Sequence, residues 1–293
     1  MTIYTLYKKA IQLGGRYDPR GKRPWQYPDS AILFGKSNIE VKRVMVGIDI
    51  EVAEILLADK LRQSQRLDLV ISHHPEGSAL ARLYEVMKLQ VDMLTGAGIK
   101  NEVARQLIEE RYAEVQRKTL PTNNMRTPDA ARLLNVPFMC LHTPADNHAS
   151  FFVQRILKRN KPKNLQEIVR ILERLPEYRY AKKNHTGPRI ILGNPDGYAG
   201  KIFVEMTGGT EGSKKAFDKL AKKGIRTLVS MHLSEEHLRK VKEANLNVVI
   251  AGHISSDTLG LNLLLDGIEK NSDLDIISCS GFRRFKHIDL LKG

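Results

Sequence analysis

The stretch at residues 68–75, DLVISHHP, constrains the fold more than any other part of this chain. Its apolar run at residues 69–71 is rich in β-branched residues, which predicts a short buried strand. Two histidines and a proline follow the strand directly. Because strands of α/β sheets present their chemistry at their carboxyl ends, His73 and His74 are expected where a ligand binds.

The two adjacent histidines raise a geometric question. Consecutive residues of an extended strand point to opposite faces, so both imidazoles reach one site only if the chain turns there or if each binds its own metal ion. Pro75 favours a turn, because it keeps His74 out of the helical conformation and cannot donate to a strand ladder. In the alternative interpretation, one histidine packs in the core and the other faces solvent. This stretch alone leaves both interpretations open.

Size and composition indicate an ordinary water-soluble globular protein. With 293 residues, 42% of them hydrophobic and 27% charged, the chain can form one large α/β domain or two smaller ones. No apolar run approaches the roughly 20 residues that span a bilayer, and the first residues lack the apolar region of a signal peptide. We therefore expect a cytoplasmic protein without a membrane partner.

The net charge of +14 predicts attraction to phosphates, nucleotides or polyanions. An anionic small molecule or a nucleotide is therefore an expected partner, and nucleic acid is a further possible partner. The basic residues occur as scattered pairs without interleaved aromatic residues, which is typical of a solvated surface. Cys140 and Cys279 give no disulfide framework and are both expected to be small buried hydrophobes.

Strand and helix patterns alternate along the chain, which predicts an α/β fold with largely parallel sheets. We place a first α/β half at residues 1–160 and a second at 185–293, with residues 246–293 returning to the metal site of the first half. The polar segment at 18–30 is expected to be a surface loop, and residues 179–185 a linker. The glycine-rich stretch at 207–213 is interpreted as a tight turn rather than a phosphate site, because it lacks both the P-loop lysine and the GxGxxG spacing.

Histidines and carboxylates recur at the ends of the predicted strands. The strand PFMCLH leads into His142 and Asp146, and the strand NVVIAGH leads into His253 and Asp257. A helix beginning near residue 255 would let His253 and Asp257 reach a common point. Together with His73 and His74, this set suits one or two first-row divalent ions better than a Ser-His-Asp triad.

These motifs resemble one family, the NGG-one-interacting-factor-three-like proteins, also labelled dinuclear-metal-centre hexameric proteins or GTP cyclohydrolase type-two homologues. The resemblance rests on DLVISHHP, HTPAD, GGTEGS and GHISSD, and it extends from about residue 44 to residue 268. It implies two related α/β halves, no inserted middle domain and a homo-oligomer, expected to be a hexamer. The dimetal ligands that it implies are His73, His74, Asp146, His253 and Asp257. Asp257 replaces the family's usual glutamate, a side chain longer by one methylene group.

The resulting functional hypothesis is a metal-dependent hydrolase with two divalent ions (Zn, Fe, Mn or Ni) that acts on a phosphate ester or a nucleotide-like substrate. His142 is assigned a catalytic role as an outer-sphere or proton-shuttling group, although it can equally be a satisfied strand-end histidine. Lys214 or Arg283 is expected to attract the anionic substrate. Two alternatives remain: a non-catalytic metal-binding scaffold or regulatory partner, and a nucleic-acid-binding protein.

Overall fold

Two separate β-sheets form from the apolar runs. The computed structural model describes residues 1–21, 26–270 and 272–287. The first sheet has the order β1-β4-β3-β2-β9, formed by β1 (Ala31–Phe34), β2 (Arg43–Gly47), β3 (Leu69–Ser72), β4 (Phe138–Cys140) and β9 (Asp275–Ser278). The second has the order β5-β8-β7-β6, formed by β5 (Arg189–Leu192), β6 (Lys201–Glu205), β7 (Ile225–Ser230) and β8 (Asn247–Ile250).

Helices connect the strands of both sheets. They are α1 (Ile3–Gly15), α2 (Val52–Arg62), α3 (Gly77–Ala81), α4 (Leu89–Gly96), α5 (Asn101–Thr119), α6 (Arg126–Leu133), α7 (Thr143–Asn160), α8 (Leu165–Leu172), α9 (Pro176–Lys183), α10 (Ala216–Lys222), α11 (Glu235–Glu243) and α12 (His253–Glu269), with a 3₁₀ helix at Leu83–Lys88. The described residues between the two sheets form α7, α8 and α9, so this part contains no inserted domain. The predicted α/β class with two related halves is confirmed.

Parallel pairing brings the carboxyl ends of several strands to one edge in each sheet. In the first sheet β2, β3 and β4 are parallel, with Gly47 opposite Ser72 and Ser72 opposite Cys140. In the second sheet β6, β7 and β8 are parallel in the same way. Antiparallel pairs occur at β1 with β4 and at β5 with β8. The predicted sheets are therefore largely parallel, and residues that follow these strands are brought close together.

Helices α7 and α12 lie between the two sheets and pack against both. Ala145 and Leu261 belong to the apolar cluster of the first sheet, whereas Ala149 and Leu259 belong to that of the second. A helix that is apolar on nearly all sides is a buried helix, and α12 fits that description. The two helices approach closely at Gly260, where a Cβ atom would lie 2.5 Å from the Ala145 carbonyl oxygen. A side chain there would push the helices apart.

The long segment between β3 and β4 packs against the second half. Leu94 of α4 and Leu107 of α5 share an apolar cluster with Phe203 and Leu228 of the second sheet. Strand β9 returns to the first sheet, where Val44 pairs with Ile276. The predicted boundaries at 1–160 and 185–293 remain predictions, and residues 288–293 lie outside the described part of the chain.

Three local expectations from the sequence are wrong. Residues 179–183 belong to α9 and are not a linker, because Tyr178 and Ala181 bury a helical face there. The segment at 18–30 is not simply a surface loop, since Asp18, Tyr27 and Asp29 are buried; residues 22–25 lie outside the described part. Cys140 is buried as expected, but Cys279 is only partly buried.

Among the helices of the described residues, none combines the length and the apolar character needed to cross a bilayer.

Candidate metal centre

The two adjacent histidines follow β3 and both face the same site. The backbone N–H groups of His73 and His74 donate to the Gly47 and Ile48 carbonyl oxygens at 2.9 and 3.0 Å, so the chain continues beside the end of β2. The Ser72 hydroxyl donates to the His74 carbonyl oxygen at 2.7 Å and stabilises the turn. Because the chain turns, the two imidazoles face one site and do not point to opposite faces of the sheet. Their ring centroids lie 5.3 Å apart.

The other candidate ligands come from a strand-to-helix junction that occurs in both halves. His142 is the N-cap residue of α7 and Asp146 lies in its first turn. His253 is the first residue of α12, and Asp257 lies four positions later. Gly252, which precedes His253, has a φ of 109°, a left-handed conformation that favours glycine. The same His-x-x-x-Asp spacing therefore occurs at the start of both central helices, which pack against each other.

Asp257 lies at the centre of the cluster. Its Oδ1 atom is 3.5 Å from His73 Nε2, and its Oδ2 atom is 3.4 Å from His74 Nε2 and 3.5 Å from His253 Nε2. Each oxygen of this one carboxylate therefore faces a different set of imidazoles. Although it is one methylene shorter than glutamate, the Asp257 side chain reaches both sets.

Asp146 and His142 extend the cluster on the side of His73. The Oδ1 atom of Asp146 lies 3.3 Å from His73 Nε2, and its Oδ2 atom lies 3.6 Å from His142 Nε2. Two groups result, one of His73, His74 and Asp257 and one of His73, His142 and Asp146; within each, the potential ligand atoms lie within 4.8 Å of one another. These side chains form groups that can hold metal ions.

Several atoms of this cluster are buried without a hydrogen-bonding partner. They are His73 Nε2, Asp146 Oδ1 and both carboxylate oxygens of Asp257. Leaving buried polar atoms unpaired costs free energy, and the cost is larger when the group is charged. Nitrogen and oxygen lone pairs that converge in this way suit a divalent cation. The cluster therefore fits the metal ions that the sequence predicts.

The charges of the cluster shift its proton affinities. Burial alone lowers the pKa of His73, but the negative charges of Asp257 and Asp146 outweigh it and raise that pKa to about 10. Burial raises the pKa of Asp257, but the nearby imidazoles, above all the charge of His73, lower it further than burial raises it. A divalent cation bound here would supply positive charge to the same carboxylates that raise the pKa of His73.

Hydrogen bonds orient the imidazoles so that Nε2 faces the cluster. His73 Nδ1–H donates to the Leu141 carbonyl oxygen at 3.2 Å, and His74 Nδ1–H donates to Asp49 Oδ1 at 2.6 Å. His142 Nδ1–H donates to the buried Asp29 Oδ2 at 2.7 Å. Metal-binding histidines commonly donate their second ring N–H to a carboxylate or a carbonyl, which fixes the ring and leaves the other nitrogen free.

Sequence reasoning missed Asp29. The Thr143 hydroxyl also donates to Asp29 Oδ2, at 2.6 Å, so this carboxylate fixes the start of α7 as well as the His142 ring. It lies in the polar segment before β1, where no pattern in the sequence distinguishes it from a surface residue.

A cleft opens beside the cluster on the side of the second sheet. Its walls include His253, His232 and the loop after β6 that contains Gly209 and Glu211. Gln90 Nε2 donates to the carbonyl oxygens of Gly208 and Thr210, which fixes the loop. This contact supports the expected structural role of the glycine-rich stretch and also shows that the loop forms one wall of the cleft.

Two further histidines, His232 and His185, and the two basic residues expected to attract the substrate lie outside the two ligand groups. The His232 ring contacts the His253 ring, with centroids 4.7 Å apart, whereas His185 is exposed. Lys214 forms an ion pair with Glu236. Arg283 lies near His253, in a pocket separate from the cleft.

The fold and this cluster define a class: an α/β protein whose two halves meet at a centre of histidines and aspartates that can hold metal ions. Among solved structures, this chain is similar to a NIF3 superfamily protein from Sphaerobacter thermophilus, with 29% identity, a TM-score of 0.78 and coverage of 95% of this chain and 98% of that one. This is the fold of the NIF3 superfamily, and the family resemblance that the sequence motifs indicate is confirmed.

More distant structures share the fold. Reduced HcgD from Methanocaldococcus jannaschii has 18% identity and a TM-score of 0.54, with coverage of 87% of this chain and 90% of that one. The protein TTHA1606 from Thermus thermophilus has 16% identity and a TM-score of 0.53, with coverage of 95% and 97%. No protein-family model and no curated protein matches the chain.

Proposed function

We propose that this protein binds two divalent metal ions and hydrolyses a phosphate ester or a nucleotide-like substrate with them. The observation that supports this proposal best is the convergence of unpartnered buried atoms from His73, Asp146 and Asp257. A cluster built only for stability would pair these atoms with donors of its own, because each unpaired buried charge is costly.

Each ion would have its own set of ligands. His73, His142 and Asp146 would hold one ion, and His74 and His253 would hold the other. Asp257 would bridge the two, since its two oxygens face the two sets separately. The ligands implied by the family resemblance are thus joined by His142, whose Nε2 atom faces Asp146.

The residues around the ions prepare the site for an anionic ester. A pair of divalent ions supplies a water of lowered pKa and neutralises the negative charge that develops on a phosphoryl group. Asp49 and Asp29 keep the Nε2 atoms of His74 and His142 directed at the site. The cleft beside His253 and His232 adjoins the site.

The proposal is tested by elemental analysis together with phosphodiesterase and nucleotide-hydrolysis assays on the purified protein. His74→Ala is expected to lose most of the bound metal and the activity, because it removes a ligand and the contact with Asp257. His185→Asn is the matched control: His185 is exposed, its φ is 63°, and asparagine tolerates that conformation. Full activity of His74→Ala, or a wild-type protein without bound metal, would refute the proposal.

The role of His142 requires its own variant. If His142 is a ligand, His142→Gln lowers the metal content of the protein. If it shuttles protons, the variant keeps its metal but has a lower kcat and an altered pH profile. Its contact with Asp146 favours the ligand role.

Two further properties are proposals of the same kind. The family resemblance predicts a homo-oligomer, expected to be a hexamer, and light scattering of the full chain tests it. A nucleic-acid-binding role predicts an affinity that falls steeply with salt concentration, and titration of single- and double-stranded DNA at two salt concentrations tests it. A metal-loaded protein inactive on every ester would favour the non-catalytic alternative.

A further inference from the structure

A second pocket lies on the other side of His253 from the cleft. It is enclosed by the last turn of α9, the first turns of α12 and the segment at residues 281–285, and its volume is about 420 Å³. Such a volume is typical of sites for small organic molecules. Tyr180, Ala181, Ile254 and Phe285 give its walls a largely apolar surface.

The pocket adjoins the metal centre. His253 lines both this pocket and the cleft, and its Nε2 atom lies 3.5 Å from Asp257 Oδ2. A molecule in the pocket would therefore contact an imidazole that we assign to the metal ions. This position distinguishes the pocket from an isolated surface cavity.

Arg283 supplies a positive charge in this pocket. Its guanidinium group lies over the Tyr180 ring, 4.4 Å from the centroid. No carboxylate pairs with it within the described ranges, whereas the neighbouring Arg284 forms ion pairs with Asp266 and Glu269. Of the two basic residues expected to attract an anion, Lys214 is occupied by Glu236 and Arg283 remains available.

Glu177 places a carboxylate in the same pocket as the Arg283 guanidinium. This buried carboxylate is also among the lining residues, and its Oε1 atom accepts hydrogen bonds from Asn262 and His287 at 2.9 and 2.7 Å. Its Oε2 atom has no partner among the described residues. A negative charge on a bound molecule is therefore favoured near Arg283 and disfavoured near Glu177.

We propose that this pocket binds the aromatic body of an organic anion, with its ring against Tyr180 and Phe285 and its acidic group paired with Arg283. The inference deepens the proposed function and rests on it, because the same molecule would be the substrate of the metal centre. The substrate class is then an aryl or heteroaryl phosphate whose phosphate group faces both Arg283 and His253, rather than inorganic phosphate or an aliphatic ester.

The pocket can be tested by isothermal titration calorimetry of the full chain with benzylphosphonate, which cannot be hydrolysed as an ester. Titrations are run on metal-loaded protein and after chelation. Saturable binding at one site is expected in both states, with methylphosphonate binding more weakly because it lacks the ring. Adding a carboxylate at the para position of benzylphosphonate is expected to weaken binding, because that end approaches Glu177.

Two variants assign the contacts. Arg283→Gln is expected to raise the Kd for benzylphosphonate about tenfold, which is typical for loss of one charge-assisted contact. Tyr180→Leu is expected to weaken benzylphosphonate binding and to leave methylphosphonate binding unchanged. Lys240→Gln, which removes an exposed lysine paired with Glu243, is the control and should match the wild type. Circular dichroism and melting curves verify that each variant is folded.

The outcomes separate this inference from the proposed function. Equal affinities for benzylphosphonate and methylphosphonate, or folded Arg283→Gln and Tyr180→Leu variants with wild-type affinity, would overturn the pocket assignment even if the protein hydrolyses esters. Ring-dependent binding that requires Arg283, in a protein that hydrolyses no ester, would support the pocket and refute the hydrolase.

Discussion

Two buried aspartates on the same helix, α12, have opposite surroundings. Asp266 is paired with Arg284 through Oδ1, and its Oδ2 atom accepts the His287 backbone N–H at 2.8 Å. Both oxygens of Asp257 are buried without a hydrogen-bonding partner and face three imidazoles. The difference teaches that a buried carboxylate stabilises a fold when the chain supplies its partners, and indicates a ligand when the chain does not.

Asp266→Ala tests the structural role of the first aspartate through the free energy of unfolding. Removing this carboxylate leaves the buried Arg284 guanidinium with Glu269 as its remaining ion-pair partner close by. Loss of one member of a buried pair is expected to lower the free energy of unfolding by about 3 kcal/mol, without changing the metal content per folded molecule. Urea unfolding measures the change, and Asp273→Ala, an exposed aspartate, is the control. Wild-type stability of Asp266→Ala would contradict the comparison.

Asp257→Asn is expected to show the reverse pattern. In the wild type, each metal ion at a hundred times its Kd adds about 2.7 kcal/mol to the free energy of unfolding, and a chelator removes this increment. In Asp257→Asn the increment is expected to be absent, because the bridging carboxylate is gone. Melting curves with and without chelator measure it. An equal chelator effect in both proteins would mean that Asp257 is not a metal ligand.

Asp49→Asn tests a carboxylate that positions a metal ligand, His74, and does not itself bind the metal. Its side chain is 55% exposed, and it accepts the hydrogen bond from His74 Nδ1. The metal affinity is expected to fall about tenfold, as for other partners of metal-binding histidines. The stability of the metal-free protein should be unchanged, because little of Asp49 is buried. Competition with a chromogenic chelator gives the affinity, and an unchanged Kd would exclude a positioning role.

The sequence predicted much of this fold for physical reasons. Buried parallel strands are continuous apolar runs, so β3 at residues 69–72 was recognisable from its sequence alone. Ligand-binding residues of α/β sheets commonly follow the carboxyl ends of the strands, which is why His73, His142 and His253 were predicted as candidates. The antiparallel edge strand β1 was missed, because its partly buried residues lie within a stretch of mixed polarity.

The missed parts depend on contacts that are distant in sequence. Asp29 and His142 are 113 positions apart, and only the folded chain shows their hydrogen bond. The pocket at Arg283 likewise combines α9, α12 and the segment after β9. Helix α9 was interpreted as a linker because its basic residues hide the apolar face that Tyr178 and Ala181 form. Local patterns specify elements, whereas partners across the fold specify the site.

The comparison extends to two buried histidines that each have an unpartnered Nε2 atom. His73 faces the carboxylates of Asp146 and Asp257, whereas His148 packs edge-on against Tyr17 with ring centroids 4.7 Å apart. Burial and the nearby Arg16 charge lower the pKa of His148 to about 3. An unpartnered nitrogen is therefore not sufficient to indicate a metal site, because His148 is neutral and has no carboxylate beside it in the described structure.

His148→Leu tests this distinction through the pH dependence of stability. In the wild type, His148 is protonated near pH 6.5 in the unfolded chain but only near pH 3 in the folded chain. The free energy of unfolding therefore falls as the pH drops below 6.5, by about 1.4 kcal/mol per pH unit. The pKa of His73 is raised instead, so its contribution to the free energy of unfolding is complete below pH 6.5. This contribution is the same in the wild type and in His148→Leu, and it cancels when the two are compared. Urea unfolding with chelator at pH 7.5, 6 and 5 should therefore give a flatter profile for the variant. Parallel profiles would mean that His148 can be protonated in the folded protein, and that its burial does not distinguish it from His73.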